Sequence, residues 1–105
     1  VAWYYGNSYA VGADDANYGT HPVGTKHSNE LGLYDMSGNV FEWCNDWYGD
    51  YSEDAQTNPT GAEEGLRRIT RGGSWYSVER DCRVTLRNYD SPSNRSYSLG
   101  LRLAL

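Results

Sequence analysis

The side chains suited to thiol, redox or zinc chemistry are few in this chain. Cys44 and Cys82 are the two thiols, far apart and without CxxC spacing, and His21 and His27 lie well upstream in loop-like sequence. Two thiols alone fall short of a zinc site, which takes four ligands. A disulfide, a pair of buried thiols and two unrelated residues all stay open. Chemistry of another kind, that of contact and recognition, is concentrated in Arg71–Leu105. Tyr76-Ser77-Val78, Tyr89-Asp90-Ser91 and Ser96-Tyr97-Ser98 mix tyrosine with small, mostly polar residues. Antigen-binding loops use the same mixture: tyrosine gives area and a hydroxyl on few rotatable bonds, and serine gives adaptable hydrogen bonds. Between the clusters stand architectural residues, namely Gly72-Gly73, Trp75, Cys82, Val84, Pro92 and a Leu99–Leu105 run that is apolar at every second position. The stretch therefore reads as a scaffold interleaved with a contact surface.

The scaffold has modest means. At 105 residues the chain is one domain or part of one, and its apolar reserve is aromatic, with four Trp and ten Tyr against one Phe and one Met. Such residues bury a ring while keeping a polar tip satisfied, which suits irregular folds and binding faces. Fourteen acidic against nine basic residues leave a net charge of -5, which argues against a phosphate-tracking surface and hence against a nucleic-acid partner. No segment is long and apolar enough to insert in a membrane, and no signal peptide is visible at Val1. Because the text opens inside what reads as structured sequence, the chain is expected to be the later part of a longer one.

The elements that must position the clusters follow in order. Val1 to Ser28 is rich in Gly, Asn, Asp and Tyr and reads as loops joined by short extended pieces. A tight Ser37-Gly38-Asn39 turn feeds a short strand at Val40–Cys44, with Trp43 and Trp47 as core candidates. Gly49 to Gly65 is an acidic surface excursion with little to bury, expected to close a hairpin onto a strand at Leu66–Arg71. Gly72-Gly73 then permits a backbone conformation that other residues resist. Further strands are expected at Cys82–Leu86 and Leu99–Leu105, the last with Leu99, Leu101, Leu103 and Leu105 on one face.

Three motifs, Asn29-Glu30-Leu31-Gly32-Leu33-Tyr34-Asp35-Met36-Ser37-Gly38-Asn39-Val40-Phe41-Glu42-Trp43, then Arg71-Gly72-Gly73-Ser74-Trp75, then Leu99-Gly100-Leu101-Arg102, resemble the formylglycine-generating enzyme (sulfatase-modifying factor) family. The resemblance runs from about Trp3 to the C-terminus. It implies an α+β, loop-rich, C-type-lectin-like fold of which residues 1–105 form the C-terminal part. Enzymes of that family oxidise a substrate cysteine with a cysteine pair shortly after the Gly-Gly-Ser motif. Here the first position is Ser77 and only Cys82 lies near the second. A hydroxyl does not replace a soft thiolate as a metal or redox ligand, so no catalytic residue is assigned and no redox or nucleotide cofactor is expected. A formylglycine-generating-like oxidase, or a degenerate relative, is the alternative to a binding domain. A purely structural domain is the third possibility.

The same C-terminal stretch is also similar to the variable regions of diversity-generating retroelement proteins, of the treponemal type, in which mutagenic reverse transcription replaces template adenines. From the asparagine codon AAC, changing one adenine gives Tyr, Ser, Asp, His, Thr or Ile, and changing both reaches Val or Leu. Tyr76, Ser77, Val78, Asp81, Leu86, Tyr89, Asp90, Ser91, Ser93, Ser96, Tyr97 and Ser98 are all reachable in this way, with Asn88 and Asn94 as unaltered positions. On this resemblance the variable region spans about 71–105 and displays ligand-contact residues, anchored by tyrosines 76, 89 and 97. Trp75, Val84, Leu99, Leu101 and Leu103 are expected to hold the frame. Deep burial of Val78 or Leu86 would return either to the core. The implied partner is a protein or a glycan, and the implied location is the bacterial cell surface, as a lipoprotein or otherwise on the extracellular side.

The family resemblance also implies a structural calcium site made of the Asp35 and Glu42 carboxylates with the Gly38 and Val40 carbonyls. Calcium is a hard cation that takes six to eight oxygens, and a glycine turn can aim several at one point. Glu42 paired with an arginine and Asp35 capping the turn is the equally open alternative. The arginines 71, 83, 87, 95 and 102 are expected to tie loops together by donating to carbonyls and pairing with acids.

Overall fold

A computed structural model describes residues 2–103 of the chain. Four short strands form one mixed sheet in the order β3-β2-β1-β4. β1 (Phe41–Trp47) and β2 (Arg68–Arg71) are the antiparallel arms of the hairpin, and β3 (Asn88–Asp90) adds antiparallel to β2. β4 (Leu99–Gly100) adds parallel to the start of β1, pairing Leu99 with Phe41 and Gly100 with Glu42. Between Trp43 and Trp47 β1 advances four residues while β2 advances two, from Thr70 to Arg68. The bulge sits where the excursion begins to separate the arms. Residues 51–61 of that excursion are exposed throughout, as their acidic, proline-containing text requires.

Among the described residues helical structure is limited to two turns. Tyr5–Tyr9 forms one π-helical turn, braced where Asn7 Oδ1 accepts from the Tyr4 backbone N–H and Asn7 Nδ2 donates to the Ala2 carbonyl. A 3₁₀ turn covers Glu79–Cys82. The first lies in a region expected to be loop and extended structure only. The second corrects the strand expected at Cys82–Leu86: Arg71 Nη1 donates to the carbonyls of Val84 (2.6 Å) and Leu86 (3.4 Å), so a side chain takes acceptors that a ladder would have used.

The last expected strand is also cut short. Pairing ends at Gly100, and Leu101 and Leu103 are largely exposed, as is Val84, so these three do not hold the frame. Leu105 lies outside the described residues. Trp43 and Trp47 are half-buried rather than core, Trp47 being covered by the Arg68 guanidinium 3.5 Å from its ring centroid.

Among the described residues Ile69 and Trp75 are the buried apolar side chains, against six buried polar ones, Ser8, Asn39, Thr70, Ser74, Ser77 and Ser98. Loop position is therefore set largely by hydrogen bonds. The centre of that network is Gly38-Asn39. Gly38 N–H donates to the Gly72 carbonyl, Asn39 N–H to the Trp3 carbonyl, and Trp75 N–H to the Asn39 carbonyl, each at 2.7 Å. Asn39 extends the tie through its amide, accepting from His21 N–H at 2.9 Å and donating to the His21 carbonyl at 3.0 Å. Three distant segments thus meet on two residues.

Gly38 has φ +81°, and a β-carbon there would overlap the Trp3 carbonyl oxygen. Gly32 has a similar φ of +74° with open space around it. Gly32→Ala should cost about 1–2 kcal/mol, the left-handed penalty alone, whereas Gly38→Ala should cost at least twice that. Urea melts of the two variants measure the difference.

His21 stacks parallel on Trp3 at 3.5 Å between ring centroids, and the Lys26 ammonium lies 3.7 Å from the centroid of the same Trp3 ring. Burial, and then Lys26, hold the imidazole below its ordinary value. Protonation is disfavoured in the folded state, so this contribution is complete above the unfolded value of about 6.5. It is lost as pH falls through the folded value. Melts between pH 8 and pH 5 should show that loss, and His21→Gln should flatten it.

Candidate contact surface

The C-terminal clusters hang on the frame just described. Gly72 and Gly73 both adopt positive φ, +93° and +73°, and turn the chain out of β2. A β-carbon on Gly73 would lie 2.7 Å from Cys82 Sγ, so this glycine lets the 3₁₀ turn close onto the strand end. The next residues form a hydrogen-bonded knot. Ser77 Oγ accepts from Ser74 N–H at 3.0 Å and meets Ser74 Oγ at 3.0 Å, while Ser77 N–H donates to the Ser74 carbonyl at 3.0 Å. Ser77 is 7 % exposed, which corrects its expected place among the contact residues. Its hydroxyl locks the turn that presents Tyr76 and Val78.

Ser98 is corrected for a similar reason. It is 5 % exposed, beneath Tyr76 Oη (3.3 Å) and Ser96 Oγ (3.0 Å), and its carbonyl accepts from Phe41 N–H at the start of β1. Tyr76 and Val78 are partly exposed, and Tyr97 is 73 % exposed. Leu86 is half-buried, so neither Val78 nor Leu86 is deeply buried. Asp81, also half-buried, lies on the 3₁₀ turn 3.3 Å from Arg80 Nε.

Contacts divide the named positions into two groups. In the first, Tyr76 and Tyr97 lie 5.9 Å apart between ring centroids, and both contact Trp75, at 5.5 and 6.1 Å. Trp75 in turn contacts Tyr9 and Tyr18, and Tyr9 contacts Tyr5 and Tyr76. Composition alone did not single out Tyr5, Tyr9 and Tyr18. The spacing of Tyr5 and Tyr9, four apart, would have placed them on one face had a helical turn been assigned there. In the second group Tyr89 lies on the outer strand β3, its ring 4.2 Å from Tyr48 and 4.6 Å from the Arg67 guanidinium. Beyond it Asp90 accepts from Ser91 N–H and Asn94 Nδ2, and Ser91 Oγ meets Ser93 Oγ. This second group is an exposed polar turn satisfied largely by its own members.

The thiols are free and half-buried. Burial pushes both up from the ordinary value, and Asp81 and Glu79 push Cys82 further. That is opposite to the electropositive setting that makes a thiolate. Among the described residues no three His, Cys, Asp or Glu side chains gather as a metal cluster.

Asp35, Gly38, Val40 and Glu42 do line one cavity of about 440 Å³, together with Arg102. Both Glu42 carboxylate oxygens are taken by Arg102, at 2.7 and 2.9 Å, and Arg102 donates also to the Asp35 carbonyl. Asp35 Oδ2 accepts from Gly24 N–H at 2.6 Å. With a guanidinium on Glu42 these donors do not fit a calcium ion, which would first have to displace Arg102. The loop-tying role expected of arginines is met by Arg71, by Arg83 on the Arg80 carbonyl, by Arg87 on the Gly49 carbonyl and by Arg102.

Ser77→Ala removes an acceptor from the buried Ser74 N–H and should cost about 1–3 kcal/mol. Tyr97→Ala should stay within about 0.5 kcal/mol of the parent. Denaturant midpoints of the pair check the division between knot and surface. Millimolar calcium should leave the melting temperature at its value in chelator, whereas a concentration-dependent rise would show the ion displacing Arg102.

Comparison with known proteins gives these features a family. The model of the sulfatase-modifying factor enzyme 1-like domain matches residues 1–105. The formylglycine-generating enzyme of Streptomyces coelicolor is 37% identical over 97 residues, covering 88% of this chain and 31% of that protein. A serine/threonine-protein kinase pkn1 of Chlamydia caviae is 44% identical over 89 residues, covering 81% of this chain and 14% of that protein. Among solved structures, Treponema denticola variable protein 1 superposes with TM-score 0.79 at 36% identity, covering 95% of this chain and 34% of that one. PvdO of Pseudomonas aeruginosa superposes with TM-score 0.74 at 33% identity, covering 90% and 36%. The chain thus spans about a third or less of these relatives' lengths. A small mixed sheet carrying long loops, with few and short helical turns, is the α+β, C-type-lectin-like arrangement of these neighbours. The chain belongs to the sulfatase-modifying factor enzyme 1-like domain family.

Proposed function

We propose that this domain is a non-enzymatic, receptor-type ligand-binding module whose C-terminal region displays a diversified contact surface on the outside of a bacterial cell. One observation carries the proposal: the exposed side chains of Tyr76, Val78 and Tyr97 project from a backbone fixed by other atoms, the first two through Gly73, the Ser74–Ser77 knot and the Asn39 tie, and Tyr97 through the Ser98 carbonyl on Phe41 N–H. A surface built in this way accepts many side chains because its shape does not depend on them. Similarity to Treponema denticola variable protein 1 over 95% of the chain supports the same reading. Tyr89, Ser91 and Ser93, with Asp90 beneath them, form a second exposed patch of the kind.

A library randomised at Tyr76, Val78, Ser91, Ser93 and Tyr97 tests this. Most members should remain soluble and melt near the parent, and selection against unrelated proteins should yield binders. Collapse of most members would contradict the proposal, as would a folded library that yields none.

The alternative is the cysteine-oxidising activity that the family resemblance implies, the Streptomyces coelicolor relative being a formylglycine-generating enzyme. Against it stand Ser77, whose hydroxyl is committed to Ser74, and Cys82, whose thiol is held protonated by burial and two neighbouring acids. A cysteine-containing peptide incubated aerobically with the protein should gain no aldehyde by hydrazide capture. Aldehyde formation that Cys82→Ser abolishes would establish the enzyme instead.

A further inference from the structure

The contact surface extends beyond the C-terminal stretch, and its electrostatics point to one class of partner. Five of the nine aromatic rings outside the cluster carry cations of the chain itself: Lys26 on Trp3, Arg68 on Trp47, Arg67 on Tyr89, and Arg87 on Tyr48 and Tyr51. The cluster of Tyr5, Tyr9, Tyr18, Trp75, Tyr76 and Tyr97 has none on any ring among the described residues, although it is the largest aromatic assembly and Tyr5, Tyr9, Tyr76 and Tyr97 are exposed. Its N-terminal half is tied to its C-terminal half by Tyr5 N–H donating to the Ser77 carbonyl at 2.9 Å.

Charge around the cluster is mostly acidic. Asp14 and Asp15 lie in the loop that joins Tyr9 to Tyr18, and residues 2–20 contain no lysine or arginine. Glu79 and Asp81 follow Tyr76 on the 3₁₀ turn. The basic residues in the adjoining segments are Arg71, which donates to the Val84 and Leu86 carbonyls, Arg80, which pairs with Asp81, Arg83, which donates to the Arg80 carbonyl, and Arg95, next to Ser96. A ring face is the negative pole of its quadrupole and attracts a cation lying over it. Rings that carry no cation of their own, in segments that also supply Asp14, Asp15, Glu79 and Asp81, favour a positively charged visitor over a neutral sugar.

We infer that the tyrosine cluster, with Tyr5 and Tyr9 as contact residues contributed from outside the C-terminal stretch, docks a protein segment bearing lysine or arginine side chains. This rests on the binding role proposed above and narrows it from protein or glycan to a cationic protein surface.

Hexa-arginine amide and the neutral hexasaccharide laminarihexaose are the probes, titrated calorimetrically into the full chain at low salt. The Tyr76→Ala/Tyr97→Ala and Tyr5→Ala/Tyr9→Ala doubles keep the net charge, and Tyr89→Ala is the control at a ring already covered by Arg67. Hexa-arginine should bind, weaken about tenfold in each double, as two contacts of about 0.5–1 kcal/mol require, and change less than about twofold in Tyr89→Ala. Circular dichroism of each variant establishes that it is folded. Absence of hexa-arginine binding, or equal loss in Tyr89→Ala and the doubles, overturns the inference. Laminarihexaose binding that the doubles abolish, without hexa-arginine binding, overturns the cationic partner while leaving the binding surface standing. If neither double alters the binding of either probe, both the partner and the surface at this cluster fail.

Discussion

The structure depends on a backbone junction two residues wide. Gly38 and Asn39 receive the N-terminal segment through Trp3, the end of β2 through Gly72, and the start of the C-terminal loops through Trp75. None of these bonds involves a side chain that could be exchanged for another, since donors and acceptors are peptide groups. With Ile69 and Trp75 the buried apolar side chains among the described residues, such a junction does what a larger core does elsewhere, fixing where loops leave and return. Asn39 itself has φ +64°, a conformation that asparagine tolerates better than most residues.

This explains how scaffold and contact residues can alternate along one stretch of chain. Gly73, Ser74, Trp75 and Ser77 are buried, the two serine hydroxyls meeting each other and the Trp75 backbone N–H donating to the Asn39 carbonyl. Tyr76 and Val78, between and beside them, face outward. Serine is at once a residue of the contact chemistry and of the knot, and nothing in its identity separates the two. Distance to a partner decides: Ser77 Oγ has two partners at 3.0 Å inside its own turn.

Much of the fold was legible in the sequence where a local rule applied. The Ser37-Gly38-Asn39 turn, the strand after it, the exposed acidic excursion and the glycine pair each follow from turn chemistry or from having nothing to bury. The family, too, could be read from its motifs. The strand expected at Cys82–Leu86 and the extent of β4 were not legible, because alternation of apolar residues predicts a strand only if a neighbour accepts its backbone. Arg71, thirteen and fifteen residues away in sequence, takes the Val84 and Leu86 acceptors instead. The contribution of Tyr5, Tyr9 and Tyr18 was hidden for the same reason, being a matter of which distant ring each meets. Glu42 illustrates the middle case: calcium and arginine were equally open from the sequence, and only the position of Arg102 shows how the carboxylate is held.

On the function proposed, the exposed positions of the C-terminal stretch are places where variation is written while the knot beneath them is kept. The most direct measurement is the DNA sequence flanking the gene. A second copy of the Arg71–Leu105 coding region is expected beside a reverse transcriptase gene, differing at adenines in codons of exposed residues such as Tyr76, Val78 and Tyr97 and matching at Gly72, Gly73, Ser74 and Trp75. A locus without such a copy and without a reverse transcriptase, or a copy whose differences fall on the glycines and Trp75, would contradict it.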